Sequence, residues 1–137
     1  KYIKFNVIKL DKKKSLYINL YTLYTQKMIT KKALIELNKE FDVGKVMNEG
    51  SLDFAISNAN ATKDWIKQLA YLIRAILIDH AFSEGNKRSS SALIIGALEE
   101  KKLGYDPYKI DNLIINIVQS SITNINQIRR MIKDVIR

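Results

Sequence analysis

The sequence predicts a compact all-α domain, a helical bundle around one buried central helix. Three observations carry that expectation. Apolar residues recur at helical spacing along most of the chain, as in Ile66, Leu69, Leu72, Ile73, Ile76 and Leu77. One segment, Ala92–Leu98, is apolar nearly all round and belongs in the middle of a fold rather than on its surface. The single proline, Pro107, falls in a turn between two periodic segments and interrupts neither. With 137 residues, a second independent core would leave each half near the lower limit for folding alone, so one domain over 1–137 is expected.

The elements follow in chain order. Ile3, Phe5 and Val7 alternate as in a short strand, and Tyr2 and Ile8 blur the pattern. Leu16, Leu20, Leu23, Tyr24 and Met28 then recur at helical spacing, although the Tyr and Thr residues among them lower helix propensity. Thr30 is placed to cap a second helix with Ala33, Leu34, Leu37 and Phe41 on its buried side. Gly44, Asn48 and Gly50 mark a turn-rich stretch, where a small β-hairpin would fit at residues 43–50. Ser51 is the expected cap of a short helix through Leu52, Phe54, Ala55 and Ile56, with Asn58–Asn60 read as a loop. Thr62 is the expected cap of the strongest helix, which runs into Asp79-His80. After a polar turn containing Gly85 comes the apolar helix. Gly96 inside it costs helix stability, and close approach of a neighbouring helix would offset that cost. Gly104 is the expected stop. Leu113, Ile114, Ile117 and Val118 form one later stripe, and Ile122, Ile125, Ile128, Met131, Ile132 and Val135 the last.

Composition excludes several function classes. Hydrophobic residues are 47% and charged residues 27%, which excludes a disordered tail or a low-complexity linker. The longest apolar run is too short for a spanning helix, so no membrane partner is expected. Without cysteine there is no disulfide scaffold, thiolate zinc site or cysteine nucleophile, and one histidine excludes a multi-histidine metal site. The net charge of +9 favours anionic partners without choosing among them. The basic residues are scattered, and the run Lys12–Lys14 reads as a solvated loop. No secretory leader stands at the start, which is Lys1 rather than Met, so a cytoplasmic location is the default expectation.

The stretch that carries chemistry is His80-Ala81-Phe82-Ser83-Glu84-Gly85-Asn86-Lys87-Arg88. A buried helix ends at the one histidine, and a central helix starts a few residues later. Backbone N–H groups at such a start point outward with partial positive charge, and Gly85 lets the chain form a nest of donors. Lys87 and Arg88 add full charges, and a guanidinium grips phosphate oxygens with its planar fork. Glu84 suits an anion site only with a cation between it and the ligand, which points to Mg²⁺ bridging a carboxylate and phosphates. His80 is near enough to accept a proton. Taken singly, each residue has a plainer role: a histidine capping carbonyls, or an ion-pair cluster of Glu84, Lys87 and Arg88.

This nonapeptide resembles the signature of the Fic/Doc family, His-x-Phe-x-(Asp/Glu)-(Gly/Ala)-Asn-(Gly/Lys)-Arg, at every constrained position. Gly50-Ser51-Leu52-Asp53-Phe54-Ala55 is similar to a weaker upstream element of Doc-like members, and the resemblance spans about residues 44–105. It implies a Fic-like fold and transfer of AMP from ATP to a hydroxyl of a target protein, a Ser, Thr or Tyr side chain. It implies His80 as the base, Phe82 as the loop's core anchor and Glu84 as the Mg²⁺ ligand. Ser83, Gly85, Asn86, Lys87 and Arg88 would cradle the ATP phosphates. A flap at residues 43–50 would align the target by strand addition.

Two departures from the family pattern stand out. Ser91 occupies the position where many AMP-transferring members carry a second Arg, and no Glu lies in the family's inhibitory motif. Together these imply no built-in autoinhibition of the usual kind, or control by a separate antitoxin-like chain. Lys87 without a second Arg resembles the Doc branch, which phosphorylates its targets, whereas Gly85 resembles the AMP-transferring branch. AMP transfer is the reading preferred here, because Gly85 leaves room for the nest; a Doc-like kinase, the toxin of a toxin–antitoxin pair, is the alternative. A nucleic-acid-binding helical module and a catalytically dead Fic-like interaction protein are the remaining readings. Nucleic acid is not expected, since no trusted helix-turn-helix is present, and the retained His80, Glu84, Asn86 and Arg88 argue against a dead fold.

Overall fold

The computed structural model describes residues 13–137, and the proposed strand at residues 1–10 lies outside them. Among the described residues there are seven helices and no sheet. They are α1 (Lys13–Thr25), α2 (Lys31–Asn38), α3 (Glu49–Ala61), α4 (Trp65–Leu77), α5 (Asn86–Glu100), α6 (Pro107–Gln119) and α7 (Ile125–Lys133). The all-α expectation holds. No helix is long and apolar enough to cross a membrane among the described residues.

α5 is the axis of the bundle. Every residue from Ser89 to Leu98 is buried, because α1, α2, α4 and α6 all pack against it. The expected close approach at Gly96 is made by α1. A Cβ there would lie 2.8 Å from Leu20 Cδ2 and 3.2 Å from Tyr24 Cε2. Tyr24 also donates from its hydroxyl to the Leu93 carbonyl at 2.5 Å, so α1 is pinned to α5 by packing and by a hydrogen bond. α4 lies on α5 with Leu69, Leu72, Ile73 and Ile76 inside and packs α3 and α7 on its flanks. Tyr105 and Ile136 form an isolated antiparallel bridge, and the Arg137 amide donates to the Gly104 carbonyl at 2.9 Å. This clasp ties the C-terminal end to the turn between α5 and α6.

Several sequence expectations are corrected. Met28 is exposed and beyond α1, which ends at Thr25. Thr30 caps α2 as expected, its Oγ1 accepting the Ala33 amide, but the helix ends at Asn38 and leaves Phe41 half-buried in the following turn. Asn48, not Ser51, caps α3: its Oδ1 accepts the Ser51 amide, while the Ser51 hydroxyl is bonded to Asp79. The polar run Asn58–Asn60 is helical, since Asn60 turns its amide to both backbone groups of Ile29 and needs no loop. Phe54 is exposed. Asp64 rather than Thr62 caps α4, accepting from the Ile66 and Lys67 amides. α5 stops at Glu100, before the expected stop at Gly104, and Lys102 turns the chain at φ 57°. In place of the expected hairpin at 43–50 there is one irregular stretch, residues 43–48, joined to the motif loop by a single antiparallel bridge between Val46 and Phe82, while Glu49 and Gly50 already belong to α3.

Candidate functional site

The helix before the loop stops because its last turn has nowhere to go. The Ile78 and Asp79 amides both fold back on the Arg74 carbonyl, and His80 turns the chain at φ 50°. A left-handed histidine is uncommon and is held only where surroundings over-determine it. The determinants are visible. The Ala81 amide is bonded to the Ala75 carbonyl at 3.2 Å, and Phe82 is sunk in the core with 1% of its surface exposed. Asp79 is clamped by α3, its carbonyl accepting from Asn48 Nδ2 at 3.1 Å and its carboxylate from Ser51. His80 itself is exposed, fixed at its backbone and open at its ring.

The loop is then closed by Asn86. Its Nδ2 donates to the Phe82 carbonyl at 2.9 Å, and its Oδ1 accepts the Phe82 amide at 3.2 Å. Asn86 therefore shapes the loop with its side chain. Gly85 is the cap residue of α5 at φ 76°, and no side chain caps the helix there. A Cβ on Gly85 would sit 3.1 Å from Asn38 Nδ2, 3.2 Å from Asp42 Cβ and 3.4 Å from Phe41 Cβ. Conformation and space both require glycine. The first N–H groups of α5 thus keep their donor capacity and the positive end of the helix dipole.

A cleft of about 880 Å³ opens at this point. His80, Ser83, Glu84, Gly85, Asn86, Lys87 and Arg88 all line it. The size lies within the range of small-molecule and cofactor sites. Lys87, Arg88 and Glu84 are exposed and make no ion pair with one another, so the plain ion-pair cluster is not what the structure contains. The Arg88 guanidinium lies 5.8 Å from the centroid of the Phe41 ring, a cation–π distance. Ser91, by contrast, is buried with its hydroxyl unpartnered and is not part of the cleft wall.

The donor set bears on a metal. No group of three or more His, Asp or Glu side chains converges among the described residues. Glu84 can offer one exposed carboxylate beside the free amides of α5. That fits a cation completed by phosphate oxygens and water, the usual way Mg²⁺ is held with a nucleotide, and does not fit an all-protein cage.

The remaining walls were not legible as site residues. Phe41 and Asp42 come from the turn after α2, Leu77 from α4, and Asp111 and Val118 from α6. Phe41 and Val118 read only as stripe residues, and nothing in the local sequence distinguishes Asp42 or Asp111 from solvated carboxylates. Asn38 was missed as well. It ends α2 wholly buried, with Nδ2 donating to the Glu84 carbonyl at 3.0 Å and to Ser89 Oγ at 3.1 Å.

Alongside the motif loop runs the irregular segment 43–47. The Met47 amide donates to the Ala81 carbonyl at 2.7 Å, and the Ser83 amide to the Lys45 carbonyl at 3.0 Å. Exposure alternates along it, with Val43, Lys45 and Met47 outward and Val46 turned in.

No family model, no curated protein and no solved structure matches this chain. What fold and site define together is a helical domain with an uncapped helix N-terminus, two cations and a histidine on one cleft.

Proposed function

We propose that the chain is a Fic/Doc-type transferase that moves AMP from ATP to a hydroxyl of a target protein. The observation that carries the reading is the convergence on one cleft of His80, the uncapped N-terminus of α5, Lys87 and Arg88. The α5 amides and the two cations would take the phosphates, positioning the α-phosphorus and neutralising charge as it shifts. His80 would accept the proton of the target hydroxyl as its oxygen bonds to the α-phosphorus. The bond from that phosphorus to the bridging oxygen breaks, and pyrophosphate leaves. Glu84 would hold Mg²⁺, which supplies charge neutralisation at the departing phosphates. Segment 43–47, already bonded to the motif loop on one edge, would present its other edge to an extended target strand.

Transfer of the γ-phosphate, as in a Doc-like kinase, is the second reading. Ser91 favours it, since the position of the second Arg is buried away from the cleft. ATP carrying label on the α- or the γ-phosphate, incubated with Mg²⁺ and lysate, separates the two. Label on a protein band from the α sample alone means AMP transfer, and from the γ sample alone a kinase. His80→Ala is expected to remove the label while circular dichroism stays helical. Persisting label would strip His80 of the base role. A DNA column tests the nucleic-acid module: retention that falls steeply with salt would favour it over either transferase.

A further inference from the structure

Among the described residues Asn38 is the one wholly buried amide side chain, and it joins the motif loop to the segment that follows α2. Its Nδ2 holds the Glu84 carbonyl and Ser89 Oγ, at the two ends of the anion loop. Its Oδ1 accepts the Gly44 amide at 2.9 Å, at the start of segment 43–47. Its own carbonyl accepts the Phe41 and Asp42 amides at 2.9 and 2.8 Å, which fixes the turn that places Phe41 under Arg88. A side-chain amide offers two donor hydrogens and one acceptor oxygen, and all three functions are used here. Carboxylate or aliphatic replacements keep at most the acceptor. Asn38 and Ser89 are both buried away from water, so a lost donor leaves the Ser89 hydroxyl without a replacement partner and frees the Glu84 carbonyl from the core.

We infer that Asn38 is a positioning residue that makes the anion loop and the edge segment a single unit, setting the register in which phosphates and target strand meet. The inference rests on the phosphate reading of the loop and goes beyond it by adding a residue outside the motif. The same bonds couple the two ligands. A strand seated on 43–47 steadies Gly44, through Asn38 the Glu84 carbonyl, and so the loop that takes the phosphates. Nucleotide binding and target binding then strengthen each other by the same factor.

The test compares the wild type with Asn38→Asp, nearly isosteric and without the donors, and Asn38→Ala. Amide hydrogen exchange is followed by NMR at Gly44, Phe82, Ser83 and Ser89, and MgATP affinity by calorimetry. Faster exchange is expected at Phe82, Ser83 and Ser89 in both variants, with α4 and α6 unchanged, together with MgATP affinity about tenfold weaker, the equivalent of one to two hydrogen bonds. Should Asn38→Ala fail to fold, Asn38→Asp and Ser89→Ala carry the comparison. Unchanged loop exchange overturns the inference whatever the ligand does. Faster exchange with wild-type MgATP affinity overturns the positioning role and leaves a structural one. A wild type that binds no MgATP while its variants show the loosened loop overturns the nucleotide reading itself, and the positioning role with it.

Discussion

Replacing Gly85 with alanine tests whether the loop has the shape that makes it a phosphate site. Two costs are readable. At φ 76° a Cβ meets the following carbonyl, and the left-handed region costs an L-residue about 1–2 kcal/mol. The new methyl would also stand 3.1 Å from Asn38 Nδ2 and 3.2 Å from Asp42 Cβ, so both must yield by a few tenths of an ångström. Asn38 is wholly buried and bonded on three sides and has little freedom to move. Together these give a destabilisation of about 2 kcal/mol, or a drop in Tm of roughly 6–8 °C for a chain of this length. The natural control is Gly50→Ala. Gly50 lies in the first turn of α3 with nothing within 4 Å of its would-be Cβ, so alanine should leave stability unchanged or raise it by up to about 1 kcal/mol. Urea titration of both variants reads the two changes as opposite shifts in midpoint at constant slope. A Gly85→Ala variant as stable as the wild type would refute the left-handed cap, and with it the open helix terminus on which the phosphate reading stands.

Three further outcomes are expected. Phe41→Leu removes the ring beneath Arg88, and MgATP binding should weaken by about threefold, the size of an exposed cation–π contact, while Phe41→Tyr restores it; equal weakening in both would assign the loss to packing instead. At Gly96, alanine gains helix propensity but drives a methyl to 2.8 Å from Leu20, so a net loss of about 1–2 kcal/mol should appear in thermal unfolding; stabilisation would mean that α1 gives way freely. Partial burial pushes the Asp64 carboxyl up, yet its hydrogen bonds from Arg129 at 2.6 Å and from the Lys67 and Ile66 amides leave it below its usual value. A depressed folded pKa contributes stability that is present above the unfolded value near 3.9 and lost as pH falls through the folded one. Arg129→Leu should therefore flatten the fall in Tm below about pH 4, and an unaltered slope would show that Arg129 does not set it.

The sequence alone determined what depends on neighbours along the chain. Apolar spacing of three and four residues specifies a buried helix face whatever it packs against. The near-continuous apolar run of α5 could only be central, and Gly96 could be recognised as a site of close approach before its partner, α1, was known. The motif loop was legible for the same reason, since its histidine, glycine and cations lie within nine residues. What the tertiary structure decided is where side chains with several possible partners spent them. Asn48, Ser51, Asn60, Thr62 and Asp64 are all competent caps, and local sequence cannot say which is drawn away by a remote group: Ser51 goes to Asp79 and Asn60 to Ile29, leaving Asn48 and Asp64 to cap. Asn38 is the extreme case. Its three hydrogen-bonding functions meet groups 6, 46 and 51 residues away, so its place behind the motif loop is a property of the packed bundle and of no segment within it.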